Sequence, residues 1–187
     1  MLNFQSLIKE EKKYSGLTVK EISPIMKLNL RGKSRDFMSI IGKNINMILP
    51  IEANTSSSTD NYTSMWLSPD EWLVISNNII DEENNNYEIE ELLFNKISKT
   101  NFGAITDVTD QFVLINLNGE KVFDLLSAGC PFNFNDFKTK KGAVTQTLLN
   151  QMDIIIQHKE LNNVNLFVRK SFSEHLMSWI NDAASRL

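Results

Sequence analysis

Apolar and polar residues alternate at Met26, Leu28 and Leu30, and again at Val113, Ile115 and Leu117. Successive side chains of a strand point to opposite faces, so each run predicts a half-buried strand. Just downstream the period changes. Phe37, Ile40 and Ile41 stand at i, i+3 and i+4, as do Val122, Leu125 and Leu126, and this spacing puts an apolar stripe on one face of a helix. The two passages also share their wording, LNLRG at 28–32 and INLNG at 115–119. Gly32 and Gly119 suit a sharp turn or a close backbone approach. Gly42 and Gly129 suit the left-handed residue that ends a helix.

The parallel continues. After the first phrase come a polar loop (54–61), then TSMWL and EWLVIS, two strands joined by a Ser-Pro-Asp turn. An acidic stretch follows, then a helix near 87–99 with Ile89, Leu92, Leu93 and Ile97 on one side and Lys96 and Lys99 at its end. A further strand is predicted near 103–108. After the second phrase, AVTQTLLN, DIIIQ and NLFVRK read as strands, and a last helix starts at about Ser171. Ser171 and Glu174 have the spacing of a capping box, and Phe172, Leu176, Trp179, Ile180, Ala183 and Leu187 form the helix's stripe. The expected architecture is α+β: two packed ferredoxin-like β-α-β-β-α halves, about 26–110 and 111–187, repeated within a single domain, 26–187. Residues 1–25 read as a lead-in, either solvated or an arm that reaches a partner, with the solvated reading favoured.

Composition narrows the class. The 187 residues are 42% hydrophobic and 22% charged, with net charge −4, as in an ordinary soluble globular protein. No Lys/Arg cluster gives the footprint of a nucleic-acid binder. No apolar run approaches the roughly 20 residues that cross a bilayer, so no membrane partner is expected. The charged N-terminus does not read as a secretory signal, which makes a cytoplasmic protein the expectation. Asn54-Thr55-Ser56 and Asn61-Tyr62-Thr63 match the glycosylation sequon but read as parts of a polar loop. Cys130 is the sole cysteine, so no intrachain disulfide can form.

Few residues are spaced for chemistry. Neither the dinucleotide fingerprint, nor the P-loop, nor the G-x-S-x-G elbow occurs. His158 and His175 stand apart and lack metal-ligand spacing. Cys130, just before Pro131, reads as structural, because no base for a catalytic thiol is evident. Asp107 and Asp110 could do acid/base work, but a turn role is favoured. Asp70 and Glu71 raise the same choice. Trp66 and Trp72 bracket that turn, either as core or as anchors for a partner. No catalytic, cofactor-binding or metal-binding residue is expected.

Trp66-Leu67-Ser68-Pro69-Asp70-Glu71-Trp72-Leu73 resembles the W-L-G-P-D-E-W-L motif of the gamma subunit of heterotetrameric sarcosine oxidase, with Ser68 for Gly. Other pieces agree in order. Leu30-Arg31-Gly32 resembles an early L-R-G, and 106–110 a D-x-S segment with Thr for Ser. Leu125 to Pro131 resembles L-L-A-x-G-C-P. Phe137, Gly142, Gln146 and Thr147 match F-x-x-G-x-x-x-Q-T. Arg169 to Phe172 resembles R-S-F with one residue inserted, and Trp179 with Ala183-Ala184 a closing W-L-x-D-A-A.

The resemblance implies a noncatalytic subunit of a complex that demethylates sarcosine to glycine, passing the one-carbon unit to tetrahydrofolate. It implies alpha, beta and delta partners, with FAD, FMN and NAD on alpha and beta and zinc on delta. The implied fold is that of the folate-binding module of the glycine-cleavage aminomethyltransferase. Trp66, Pro69, Asp70, Glu71, Trp72, Gly129, Cys130 and Pro131 are the expected motif or interface residues. Two other functions stay open: a stand-alone folate-binding or aminomethyltransferase-like protein, and the same subunit of a complex acting on another N-methyl amino acid.

Overall fold

The computed structural model describes Ser6, Ile8 and residues 10–80 and 87–187. The acidic stretch at 81–86 and part of the expected lead-in lie outside the described residues. In chain order the strands are β1 (Lys12–Tyr14), β2 (Leu17–Glu21), β3 (Lys27–Gly32), β4 (Ser56–Ser58), β5 (Tyr62–Ser68), β6 (Glu71–Ser76), β7 (Gly103–Asp107), β8 (Phe112–Asn118), β9 (Val144–Leu149), β10 (Met152–Glu160) and β11 (Asn163–Arg169). The helices are α1 (Arg35–Ile45), α2 (Tyr87–Ile97), α3 (Val122–Gly129), the one-turn α4 (Phe134–Phe137) and α5 (Ser173–Ala184).

These elements form two compact units. One is Pro24–Asp110; the other joins Met1–Ser23 to Gln111–Leu187. In the Pro24–Asp110 unit the sheet runs β4-β5-β6-β3-β7, antiparallel throughout. Its core gathers Leu28 and Leu30 from β3, Phe37 and Ile41 from α1, Trp72 and Val74 from β6, and Leu93 and Ile97 from α2. Burying each such side chain stabilises the unit by about 1.5–3 kcal/mol. The β3-α1-β5-β6-α2-β7 path, with β3 between β6 and β7, is the ferredoxin-like order. The serine-rich loop adds β4 as a further short strand.

The second sheet runs β1-β2-β8-β11-β10-β9. It follows the first plan with a change of connection. β8, α3, β9, β10, β11 and α5 succeed one another as β3, α1, β4, β5, β6 and α2 do. In the first unit β7 follows α2 and lies beside β3. The place beside β8 is filled instead by β2, from the N-terminal segment. Residues 12–21 are therefore not a solvated lead-in. Leu17 and Val19 are buried in the core of β8, α3 and α5, and Glu21 accepts the Ile8 N–H at 2.8 Å and the Ser6 hydroxyl at 2.7 Å. Without β2, β8 would present an unpaired edge.

The helix ends differ from expectation as well. Gly42 lies inside α1, which runs on to Ile45 and is closed by Asn46 at φ 51°, whose N–H donates to the Gly42 carbonyl. Gly129 is the last residue of α3, not a left-handed cap, and its need is spatial: a Cβ there would lie 2.5 Å from the Trp179 ring and 2.7 Å from Leu149. The Ser171/Glu174 capping box does not form. A 3-10 turn (Lys170–Phe172) precedes α5, and the Ser173 hydroxyl donates to the Lys170 carbonyl at 2.7 Å. Leu176 and Ile180 are buried as expected, but Phe172 and Leu187 are exposed, and Met177 and Ala184 take the inner positions.

Candidate interaction site

The W-L-S-P-D-E-W-L motif is the β5–β6 hairpin, turning at Pro69-Asp70. Trp66 and Trp72 are direct cross-strand partners, so they share one face of the hairpin. Both pack on the same core cluster. Trp72 is 2% exposed. Its ring lies 6.4 Å from that of Phe37 at 28°, and its indole N–H donates to the Pro50 carbonyl at 2.7 Å. The bond satisfies the polar end of a buried indole.

The turn's polar groups are committed to one another. The Ser68 hydroxyl donates to the Asp70 carboxylate at 2.9 Å, and the Gly32 N–H donates to the Asp70 carbonyl at 3.0 Å. Arg31 reaches Glu71 at 3.7 Å and Asp70 at 3.9 Å, and Lys33 reaches Asp70 at 3.9 Å. The Asn29 amide donates to Glu71 at 2.7 Å. The Ser68 hydroxyl, ahead of the Lys33 and Arg31 charges, holds the Asp70 carboxyl below its ordinary range against an opposing desolvation. Thus L-R-G and the tryptophan motif, far apart in sequence, meet through the β3–β6 pairing of Arg31 with Glu71.

The G-C-P piece ends α3. Cys130 is buried, and burial pushes its thiol up to about 12, so it is a protonated thiol at neutral pH and a poor nucleophile. Pro131 is exposed. Asp107 accepts the Thr109 N–H at 2.8 Å, while Thr109 accepts the Lys27 N–H at 3.0 Å through its hydroxyl, so this segment closes a turn. His175 is exposed. His158 is buried against Phe123 and Phe137, with Nδ1 2.8 Å from the Lys140 carbonyl. That carbonyl makes Nδ1 the protonated nitrogen. Among the described residues, no group of three or more His, Cys, Asp or Glu is placed to hold a metal ion, and no helix is long and apolar enough to cross a membrane.

Sequence reasoning missed the roles of Asn29 and Pro50, whose partners come from β6, and the stacking of Phe37 on Trp72, though it placed Phe37 on the core-facing stripe of α1. It also missed the buried Lys27, whose ammonium donates to the Ile25 and Thr109 carbonyls at 3.2 and 3.1 Å.

The tryptophan hairpin, its Arg31 clasp and the G-C-P helix end all fall within residues 31–186, which match the model of the sarcosine oxidase gamma subunit family. The chain belongs to that family. Among solved structures, this gamma-subunit family member is similar to a chain of the heterotetrameric sarcosine oxidase from Corynebacterium sp. U-96, at TM-score 0.81 and 19% identity, over 94% of this chain and 87% of that one. It also resembles the glycine cleavage system aminomethyltransferase T from Bartonella henselae, at TM-score 0.60 and 13% identity, over 91% of this chain and about half (49%) of that one. At these identities the likeness is one of fold. No curated protein matched at the level of sequence.

Proposed function

We propose that this chain is a noncatalytic scaffold subunit of a cytoplasmic heterotetramer that oxidatively demethylates sarcosine to glycine and passes the one-carbon unit to tetrahydrofolate. The family match over residues 31–186 carries the reading. Its partners are the alpha, beta and delta subunits, with FAD, FMN and NAD on alpha and beta and zinc on delta. Two features of the chain support a structural part in that chemistry: the Cys130 thiol is raised to about 12, and the carboxylates of the tryptophan hairpin are tied up in the turn itself.

The test is co-expression with the other three subunits and purification through a tag on this chain. The expected result is a four-subunit complex that produces peroxide with sarcosine, and no turnover by this chain alone. Recovery of an active alpha–beta–delta complex that never retains this chain would overturn it. The aminomethyltransferase-like fold favours one alternative, a stand-alone folate binder. Calorimetric titration of the purified chain with tetrahydrofolate decides that point, because saturable heat at micromolar concentrations would place folate on this chain.

A further inference from the structure

We propose that a hollow on the β8-β11-β10-β9 sheet binds a free α-amino acid with an apolar side chain, Arg169 taking its carboxylate and Asp153 its ammonium group. This is a role beyond the subunit reading and independent of it. The site lies within the unit that contains Gln111–Leu187.

The strand register builds the site. Phe112 on β8 pairs with Arg169 on β11, and Leu148 on β9 pairs with Asp153 on β10. β10 and β11 pair at Ile154 and Val168, and one antiparallel step further sets Asp153 against Arg169. The four residues therefore form one row across four strands. Two residues along each strand, Leu114, Phe167, Ile155 and Gln146 form a second row on the same face. Leu114, Phe167 and Ile155 are buried, so the sheet beside the charged row is held by packing. Here the face carries an open hollow of about 360 Å³, with Phe112, Leu148 and Ile155 as apolar wall. Gln146, Thr147 and Arg169, from two motif pieces in which the tryptophan hairpin has no part, meet in the same wall.

The charges identify the ligand. Among the described residues, Asp153 and Arg169 are the only charged ones lining the hollow. The charged residues nearest the row in sequence, Lys170 and Asp110, also carry opposite signs, so the surroundings stay balanced. Asp153 and Arg169 are exposed, and among the described residues neither is in an ion pair. An exposed pair gains little by closing, so a ligand that engages both ends displaces that contact easily. A lone anion reaches Arg169 only by approaching Asp153, and a lone cation meets the converse. A molecule with both charges escapes both penalties. Cross-strand neighbours stand about 4.5–5.5 Å apart at Cβ. The two charges of an α-amino acid flank a single carbon, which suits that spacing, and the guanidinium can donate two parallel hydrogen bonds to a carboxylate. The apolar wall favours a branched or aromatic side chain over glycine. An internal peptide segment fits poorly, because peptide bonds remove both α-charges.

The test is saturation-transfer NMR of L-leucine against the full chain, with circular dichroism to show that each variant is folded. Wild type should give a saturable signal with Kd of about 1 mM or tighter. L-leucine methyl ester lacks the carboxylate and N-acetyl-L-leucine lacks the ammonium group. Each should bind about 10-fold more weakly or worse, and glycine about 5-fold more weakly. Arg169→Glu and Asp153→Arg each leave two like charges and should weaken L-leucine by about 10-fold or more. The exchange Arg169→Glu/Asp153→Arg restores one charge of each sign and should bind more tightly than either single variant. Absence of a saturable signal with L-leucine up to about 50 mM would overturn the site. So would an ester or N-acetyl derivative within about 3-fold of L-leucine, which needs no variant to fold. Glycine within about 2-fold of L-leucine would overturn the apolar side chain as part of the ligand. Folded single variants within about 3-fold of wild type, or a folded exchange variant no tighter than the single ones, would remove Arg169 and Asp153 from the site. None of these outcomes depends on assembly with other subunits, so each leaves the subunit reading intact.

Discussion

Trp72 shows how one side chain can serve the fold in two ways. Its ring fills the space between β6, Phe37 and the rest of the core, and its N–H fastens the 47–51 segment. Trp72→Ala removes both and leaves a large cavity with a buried carbonyl lacking its donor. Its expected cost is about 3–5 kcal/mol, read as a lower midpoint in urea denaturation. Cys130 gives a second check at this scale. With the thiol buried and raised to about 12, the native chain should resist alkylation by iodoacetamide at pH 7.5 and react only once denatured, as mass spectrometry of timed samples would show. The sequence already read Cys130 as structural, whereas the double part of Trp72 was not legible there. The motif around Trp72 was legible, but its bond to Pro50 requires the loop's course in three dimensions. For Gly129, the sequence suggested a helix cap, whereas the actual constraint is the Trp179 ring from α5.

At the scale of elements, the β5–β6 turn is an electrostatic unit clasped to β3. Asp70 is held below its ordinary value of 3.8, so its ionised form is favoured in the folded state. The sign follows from linkage. Its contribution is full above the unfolded value and is lost as pH falls through the lower, folded one. Wild type should therefore exceed Asp70→Asn in stability at pH 6, with the gap closing only below the ordinary value; thermal melts from pH 6 down to acid test this, and a gap that does not change with pH would refute it. Elements with a sustained period were legible. Met26, Leu28 and Leu30 gave β3, and Phe37, Ile40 and Ile41 gave α1, because each stripe faces one core. β4 was not, since Ser56–Ser58 carries no apolar signal and is a strand only by pairing with β5. β2 was hidden too: Leu17 and Val19 show barely one period, in a charged neighbourhood where solvation is the default reading.

For the molecule as a whole, the doubled phrase was the most informative sequence signal. β3 and β8 occupy equivalent places, with buried Leu28 and Leu30 matching Ile115 and Leu117. What the repeat could not disclose was the permuted connection, because the strand that completes the second plan precedes the repeat altogether. Deleting residues 1–21 should thus damage the unit containing Gln111–Leu187, not the Pro24–Asp110 unit. Loss of buried Leu17 and Val19 alone amounts to about 3–6 kcal/mol. Hydrogen exchange should show faster exchange in β8 and α3 with β3 and α1 unchanged; equal loss of protection in both units would refute the assignment.

That borrowed strand also sets an order of events during synthesis. A translating ribosome finishes Pro24–Asp110 while Leu17–Glu21, already extruded, still waits for β8 to be made. A strand made before the Pro24–Asp110 unit thus reaches its native place after it. Until then Leu17 and Val19 have no core to enter, because the one they fill is built on β8.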